Sequence, residues 1–404
     1  MKFGVSLTGM GQQPRGTDMR QSFGEIVEYV RSARDLGFDF IYQGQHYLTS
    51  PYQQLQTMPL LARLAAETGD MSIVATLLVP LHHPVDLAER IATMDVITNG
   101  RFILAAALGY RDDEYDAFAV NPKRRVSRYM ECLELMRKLW TEEKVTYTGQ
   151  HFQVKDAEMV LKPMQKPHPP VWVAANSDAA IQRAATNGYS WYVNPHATHQ
   201  TIKRQIQLYN DTAGNAGLES PKLLPMGREL FVHDDKEKAF QEVEPFLGGK
   251  YEAYAQWGQD KALPGDESFS TSFEELARDR FIIGDPEDCV TEIEKYRSLG
   301  IDHGSFRMMW PGMDLKSGIR NMELFSSNSH RVYAVIGNDT AGQSASTPTE
   351  SLSSDISHWD SLKGIKKVTS SDVSLVIPHG TGASLKKIEN GVSFTPYNLS
   401  LIHI

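Results

Sequence analysis

Cysteine is nearly absent from this chain: Cys132 and Cys289 are the two among 404 residues. They lie far apart, each in a helix-like segment, so no disulfide framework or thiolate metal site organises the fold. A reducing compartment, the cytoplasm, is expected. No run of about 18 apolar residues occurs, which excludes a membrane-spanning helix. The opening MKFGVSLTGMGQQ has neither the long apolar core nor the cleavage site of a secretion signal. Basic charge is also short. Lys and Arg total 41 against 50 Asp and Glu, a net charge of −9. A nucleic-acid-binding surface is therefore not expected, because phosphates need a basic face. Three signatures are missing as well: a Gly-rich nucleotide loop, Gly-x-Ser-x-Gly and Cys-x-x-Cys. His82 and His83 form a tempting pair, but adjacent residues rarely face one ion and no carboxylate stands at ligand spacing, so no metal site is expected.

What is present is rhythm. Short apolar runs alternate with amphipathic segments. The runs are FGVSLTG (3–9), FDFIYQG (38–44), MSIVATLLVP (71–80), RFILAAALGY (101–110), PVWVAAN (170–176), YSWYV (189–193), KLLPMGRELFV (222–232) and HGSFRMMW (303–310). Each is followed by a helical pattern. Ser22 with Glu25 resembles a capping box, Pro84 and Pro286 open helices, and Asn99-Gly100 closes one. Eight β-α units with continuously apolar strands predict an α/β fold, a (β/α)8 TIM barrel. The stretch 236–280 is too long for an ordinary connection and reads as a lid-like insertion between strands 7 and 8, or as a solvated helical extension. The barrel is expected to occupy residues 1–328. The serine-rich 329–404 reads as an atypical C-terminal tail: a linker, a disordered segment or a truncated second domain.

In such a barrel the active site sits at the C-terminal ends of the strands. That rule selects Gln45-His46-Tyr47, Ala75-Thr76, Gly109-Tyr110-Arg111, Asn176-Ser177, Asn194, Arg228 and Arg307. His46 is either a functional imidazole or a loop histidine with a local bond. Asn176-Ser177 either caps the next helix or offers its N-terminus to an anion. The carboxylates at 112–114 read as loop and cap. Arg124, Arg125 and Arg128 read as a solvated helix face, or alternatively as a group of which one side chain reaches a phosphate.

The run LVPLHHPVDLAERIATMDVITNGRFILAAALGYRDDEYDAFAV (78–120) resembles the signature stretch of bacterial luciferase-like flavin monooxygenases. RRVSRYMECLELMRKLWTEEKVTYTGQHFQV (124–154), PHPPVWVAANSDAAIQRAATNGYSW (167–191) and GDPEDCVTEIEKYRSLGID (284–302) resemble its later segments, in order. The resemblance implies FMN, reduced by a separate flavin reductase, whose C4a hydroperoxide oxygenates a small organic substrate. It implies a homodimer. It makes His46 the catalytic residue. It gives the cofactor to Ala75 and Thr76 (often joined by a non-proline cis peptide), to Gly109 and Tyr110, and to Asn176 and Ser177. Gln45 and Tyr47 replace the Glu and second His of the luciferase segment, which weakens the case for an aldehyde substrate. Two alternatives stand beside this one. The same barrel serves deazaflavin (F420) oxidoreductases that transfer hydride, and flavin-holding proteins that do not turn over.

Overall fold

The computed structural model describes residues 1–193, 195–218, 223–258, 263, 267–339 and four short strands between 365 and 396. It divides into two units, Met1–Ile336 and Gly337–Ile404.

All eight expected strands form in the first unit: β1 (Lys2–Ser6), β2 (Phe40–Gly44), β3 (Ser72–Leu78), β4 (Phe102–Ala107), β5 (Val171–Ala174), β6 (Ser190–Tyr192), β7 (Pro225–Val232) and β8 (His303–Arg307). They pair in parallel in the order β6-β5-β4-β3-β2-β1-β8-β7. The sheet curls, and a parallel bridge between Val193 and Met226 links the end of β6 to β7. The Val193 N–H donates to the Pro225 carbonyl at 2.7 Å there. A ninth strand, Ile282–Gly284, was not anticipated; it adds in parallel to Leu230–Val232 of β7. The architecture is α/β with a curled nine-stranded parallel sheet of the TIM-barrel type.

The helices of eight residues or more among the described residues are α1 (Met19–Asp35), α2 (Thr57–Leu64), α3 (Pro84–Ile97), α4 (Arg125–Thr141), α5 (Asp178–Thr186), α6 (His199–Asn215), α7 (Lys236–Gln256), α8 (Pro286–Arg297) and α9 (Leu315–Asp339). One start needs correction. α1 begins at Met19, where the Asp18 carboxylate accepts from the Arg20 N–H at 2.9 Å; Ser22 lies inside the helix. Asp18 offers a stronger acceptor one turn earlier, so it takes the cap. At α8, Asp285 accepts from the Glu287 and Asp288 N–H groups, each at 2.9 Å, ahead of Pro286.

Because side chains alternate across a strand, the sheet makes two cores. The large one lies between sheet and helices and takes Ile41, Ile73, Ala75, Leu104, Val173 and Trp191. The small one fills the curl with Phe40, Val74, Ala105, Trp172 and Tyr192. Within the β7–β8 connection, α7 takes up the first 21 residues of the expected insertion, with Pro245 inside it and Gly248-Gly249 one turn on. Residues 259–262 and 264–266 of that insertion lie outside the described residues. α9 continues to Asp339, beyond the expected barrel end at 328. The second unit holds two antiparallel pairs, Ile365–Ser370 with Val373–Pro378 and Ala383–Ile388 with Gly391–Pro396. Of the tail expected over 329–404, residues 340–364 lie outside the described residues.

Candidate functional site

A cavity of about 760 Å³ opens at the C-terminal ends of the strands. Thr76 from β3, Gly109 and Tyr110 after β4, Asn176 and Ser177 before α5, and His46 after β2 all line it. Six of the seven expected site residues are thus brought together. Ala75 is the exception. It precedes inward-facing Thr76, so alternation turns its methyl outward into the helix-facing core, where it is fully buried. The cis peptide expected at Ala75-Thr76 is also absent; the cis bonds among the described residues are Ser50-Pro51 and Lys166-Pro167. Both residues lie in an unbroken ladder, with Ala75 opposite Gln43 and Leu104 and Thr76 opposite Gly44 and Ala105.

His46 ends the apolar run of β2 and stands 15% exposed at the rim. Its Nδ1 lies 3.1 Å from Oε1 of Glu114. The same oxygen accepts from the Tyr47 N–H at 2.8 Å, and an Arg111 amino group lies 3.6 Å away. A carboxylate oxygen only accepts, so Nδ1 is the donor in this pair and Nε2 is left for the cavity. Glu114 is fully buried, its second oxygen unpartnered, on the helical turn Asp112–Ala117. Reading 112–114 as loop and cap missed it. The available signal was a carboxylate directly before buried Tyr115 and four residues before Phe118, whose ring packs at 4.6 Å from Tyr47.

Gln45, also on the cavity, acts as a brace. Its Oε1 accepts from the Leu78 N–H and from His82 Nε2, both at 3.0 Å, and its Nε2 donates to the Tyr47 hydroxyl at 3.0 Å. Burial, helped by Arg90, pushes the His82 imidazole down to about 4, so it stays neutral. His83 accepts from the Val85 N–H at 3.3 Å and starts α3.

Gly109 has φ +84°, a left-handed conformation that glycine adopts without penalty. The turn it makes carries Tyr110 to the cavity wall. The Tyr110 hydroxyl is buried without a hydrogen-bond partner, and burial raises its pKa. Opposite, Ser177 caps α5 with no side-chain bond to the helix. Its hydroxyl and the Asp178 and Ala179 N–H groups are therefore available to an anion, with Arg125 of α4 on the same cavity. Asp178, which would repel one, is held by Arg204 through bonds of 2.7 and 2.9 Å. Arg128 instead donates to the Pro80 carbonyl at 2.7 Å. The phosphate of a flavin or deazaflavin fits this turn. Leu78, Ala107, Ala174 and Ala175 supply an apolar wall for a flat ring.

The far side differs. Arg228 faces the helices, donating to the Tyr296 hydroxyl at 3.1 Å and to the Ala197 carbonyl at 2.9 Å. Its neighbour Glu229 faces inward and is fully buried. Glu229 binds Lys250 of α7, Arg307 of β8 at 2.5 Å and the Trp310 indole at 2.7 Å. Burial pushes its carboxyl up, against the lowering pull of Arg307 and the Trp310 and Tyr251 donors. His196, buried on the cavity, is 2.9 Å from the Tyr251 hydroxyl; burial and then Arg307, Arg228 and Arg280 hold it well below the usual imidazole range. Asn194 lies outside the described residues. No cluster of metal-binding side chains and no helix long and apolar enough to cross a membrane occur among the described residues.

An uncharacterized protein of Sinorhizobium fredii, y4vJ, is 26% identical over 195 residues, and the chain spans about half, 56%, of it. The oxygenase component of flavin-dependent trigonelline monooxygenase from Acinetobacter baylyi is 24% identical over 303 residues, covering 71% of this chain and 83% of that one. An F420-dependent glucose-6-phosphate dehydrogenase from Segniliparus rotundus is 27% identical over 325 residues, covering 74% and 91%. The crystal structure of monooxygenase RslO1 from Streptomyces bottropensis superposes with a TM-score of 0.70 at 25% identity, covering 82% of this chain and all of that one. Residues 1–303 match the luciferase-like monooxygenase family, and the chain belongs to it.

Proposed function

We propose that this chain is an FMN-dependent monooxygenase that uses reduced flavin and oxygen to oxygenate a small organic substrate, with a separate reductase supplying the flavin. The observation that carries it is the placement of His46, backed by Glu114, on one cavity with an open anion turn at Asn176-Ser177. When bound, reduced FMN supplies the electrons that activate oxygen. The chain's residues do the rest. Ser177, the N-terminus of α5 and Arg125 hold the phosphate. Thr76, Gly109 and Tyr110 line the ring, with the Tyr110 hydroxyl offering a donor. His46 holds or passes a proton at Nε2 while Glu114 fixes Nδ1. The relatives whose activities are named are flavin or F420 oxidoreductases, and F420 also carries a phosphate that fits the same turn. Hydride transfer with F420 is thus the second reading.

Titration of the full chain with FMN, reduced FMN and F420, followed by addition of oxygen, tests this. Binding of reduced FMN followed by an oxygen-dependent absorbance change supports the monooxygenase. Tight F420 binding with no response to oxygen replaces it with the second reading. His46→Ala lowers turnover by about 10²–10⁴-fold, the usual weight of a general acid–base group, and leaves cofactor affinity nearly unchanged. Undiminished turnover removes His46 from the chemistry.

A further inference from the structure

The Glu229 cluster carries more positive charge than its own carboxylate balances. Lys250 and Arg307 both bind Glu229, and no second carboxylate pairs with either among the described residues. The surplus positive charge is buried: Arg307 and Lys250 are each 9% exposed. Arg307 uses one amino group on Glu229 at 2.5 Å, and its Nε is buried without a partner. Unused donors on a desolvated guanidinium are costly unless a ligand oxygen meets them. Arg307 lines the cavity beside Tyr42, Tyr192, His196 and Tyr254. His196 is held neutral there, so it adds neither charge nor competition. The Tyr42 and Tyr192 rings stack at 5.5 Å with 6° between planes, next to the guanidinium. This place is not the phosphate turn. The turn follows β5 and the ring-lining residues lie on β3 and just after β4, whereas Arg307 lies on β8, opposite β4 in the strand order.

We propose that Arg307, held by Glu229 and flanked by Lys250, is a subsite for the carboxylate of a small organic acid whose flat apolar body lies against the tyrosines. The guanidinium edge left free by Glu229 suits a planar carboxylate, and a charge-assisted pair there supplies orientation as well as affinity. This rests on reading the cavity as a substrate chamber, and it names the substrate class. The Glu229 bond keeps the guanidinium in place before a ligand arrives, so little side-chain freedom is lost on binding.

Benzoate and its neutral counterpart benzamide are the probes, titrated calorimetrically into the full chain with no cofactor, then with saturating inorganic phosphate, then with saturating FMN. Benzoate should bind roughly tenfold or more tighter than benzamide, the ratio a single charge-assisted bond gives. Phosphate and FMN should leave that preference in place. Arg307→Met should erase it and Arg307→Lys restore part of it. Equal binding of the two probes overturns the proposal. So does displacement of benzoate by phosphate, which puts the anion at the Ser177 turn. A preference that survives Arg307→Met overturns it too, as does an Arg307→Met variant that loses FMN rather than benzoate. The wild-type comparisons decide the matter if Arg307→Met fails to fold. A chain that prefers benzoate yet binds neither FMN nor F420 keeps the subsite and loses the monooxygenase reading.

Discussion

Glu114 and Glu229 are both fully shut off from solvent, yet they keep different company. Glu114 touches one imidazole and one backbone N–H, with an arginine amino group 3.6 Å off and one oxygen left over. Glu229 meets two cations and an indole at close range. The first carboxylate is under-engaged and stands behind a group that can exchange protons. The second is saturated and ties a helix from the β7–β8 connection to the barrel interior. One cavity thus has a wall built for adjustable protonation and a wall built for fixed charge.

The largest test of that contrast is Glu229→Gln, which strands two cations in a dry interior. Breaking a buried pair costs about 3–5 kcal/mol, so urea unfolding should shift by that much. A loss under about 1 kcal/mol would mean the cluster is solvated and the contrast false. Next comes acid sensitivity behind the first wall. His82 is pushed down to about 4 from 6.5, so the unfolded chain takes up its proton first as pH falls. The contribution is whole above pH 6.5 and drains away toward pH 4, up to about 3 kcal/mol by linkage. In His82→Gln, stability curves across that window should flatten; an unchanged slope assigns the acid loss elsewhere. Glu114→Gln keeps shape but replaces an acceptor-only group. A stability cost of about 1–3 kcal/mol should accompany a turnover loss and a moved pH–rate profile, whereas a purely structural role leaves that profile in place. The smallest effect belongs to Tyr110→Phe. Its hydroxyl has no partner, so melting should change by less than about 1 kcal/mol, in either direction, while cofactor affinity falls. Unchanged affinity would remove the hydroxyl from the cofactor wall.

Much of this was legible in the chain. Strand apolarity and the β-α rhythm located all eight barrel strands, and the rule of strand ends put His46, Thr76, Tyr110 and Ser177 on one cavity. What escaped was side-chain direction. Every residue of PMGRELFV in β7 is buried, so period-2 alternation could not say whether Arg228 or Glu229 faced inward. Ala75 and Thr76 posed the same ambiguity, and resemblance assigned both where the pleat allows only one inward. Glu114 was hidden for another reason: a carboxylate in an acidic run looks solvated until a fold brings it to an imidazole 68 residues away. The ninth strand is three residues long, below what periodicity resolves.

α7 has one more consequence. With Pro245 inside it and Gly248-Gly249 following, its own helical preference is poor by several kcal/mol. What keeps it wound is its side: Lys250 on Glu229, and Tyr251 and Tyr254 buried in the core. Its backbone amides are therefore a gauge of that anchorage. Deuterium should enter α7 before it enters α4, and anything that tightens or releases Glu229 should be readable there as slower or faster exchange.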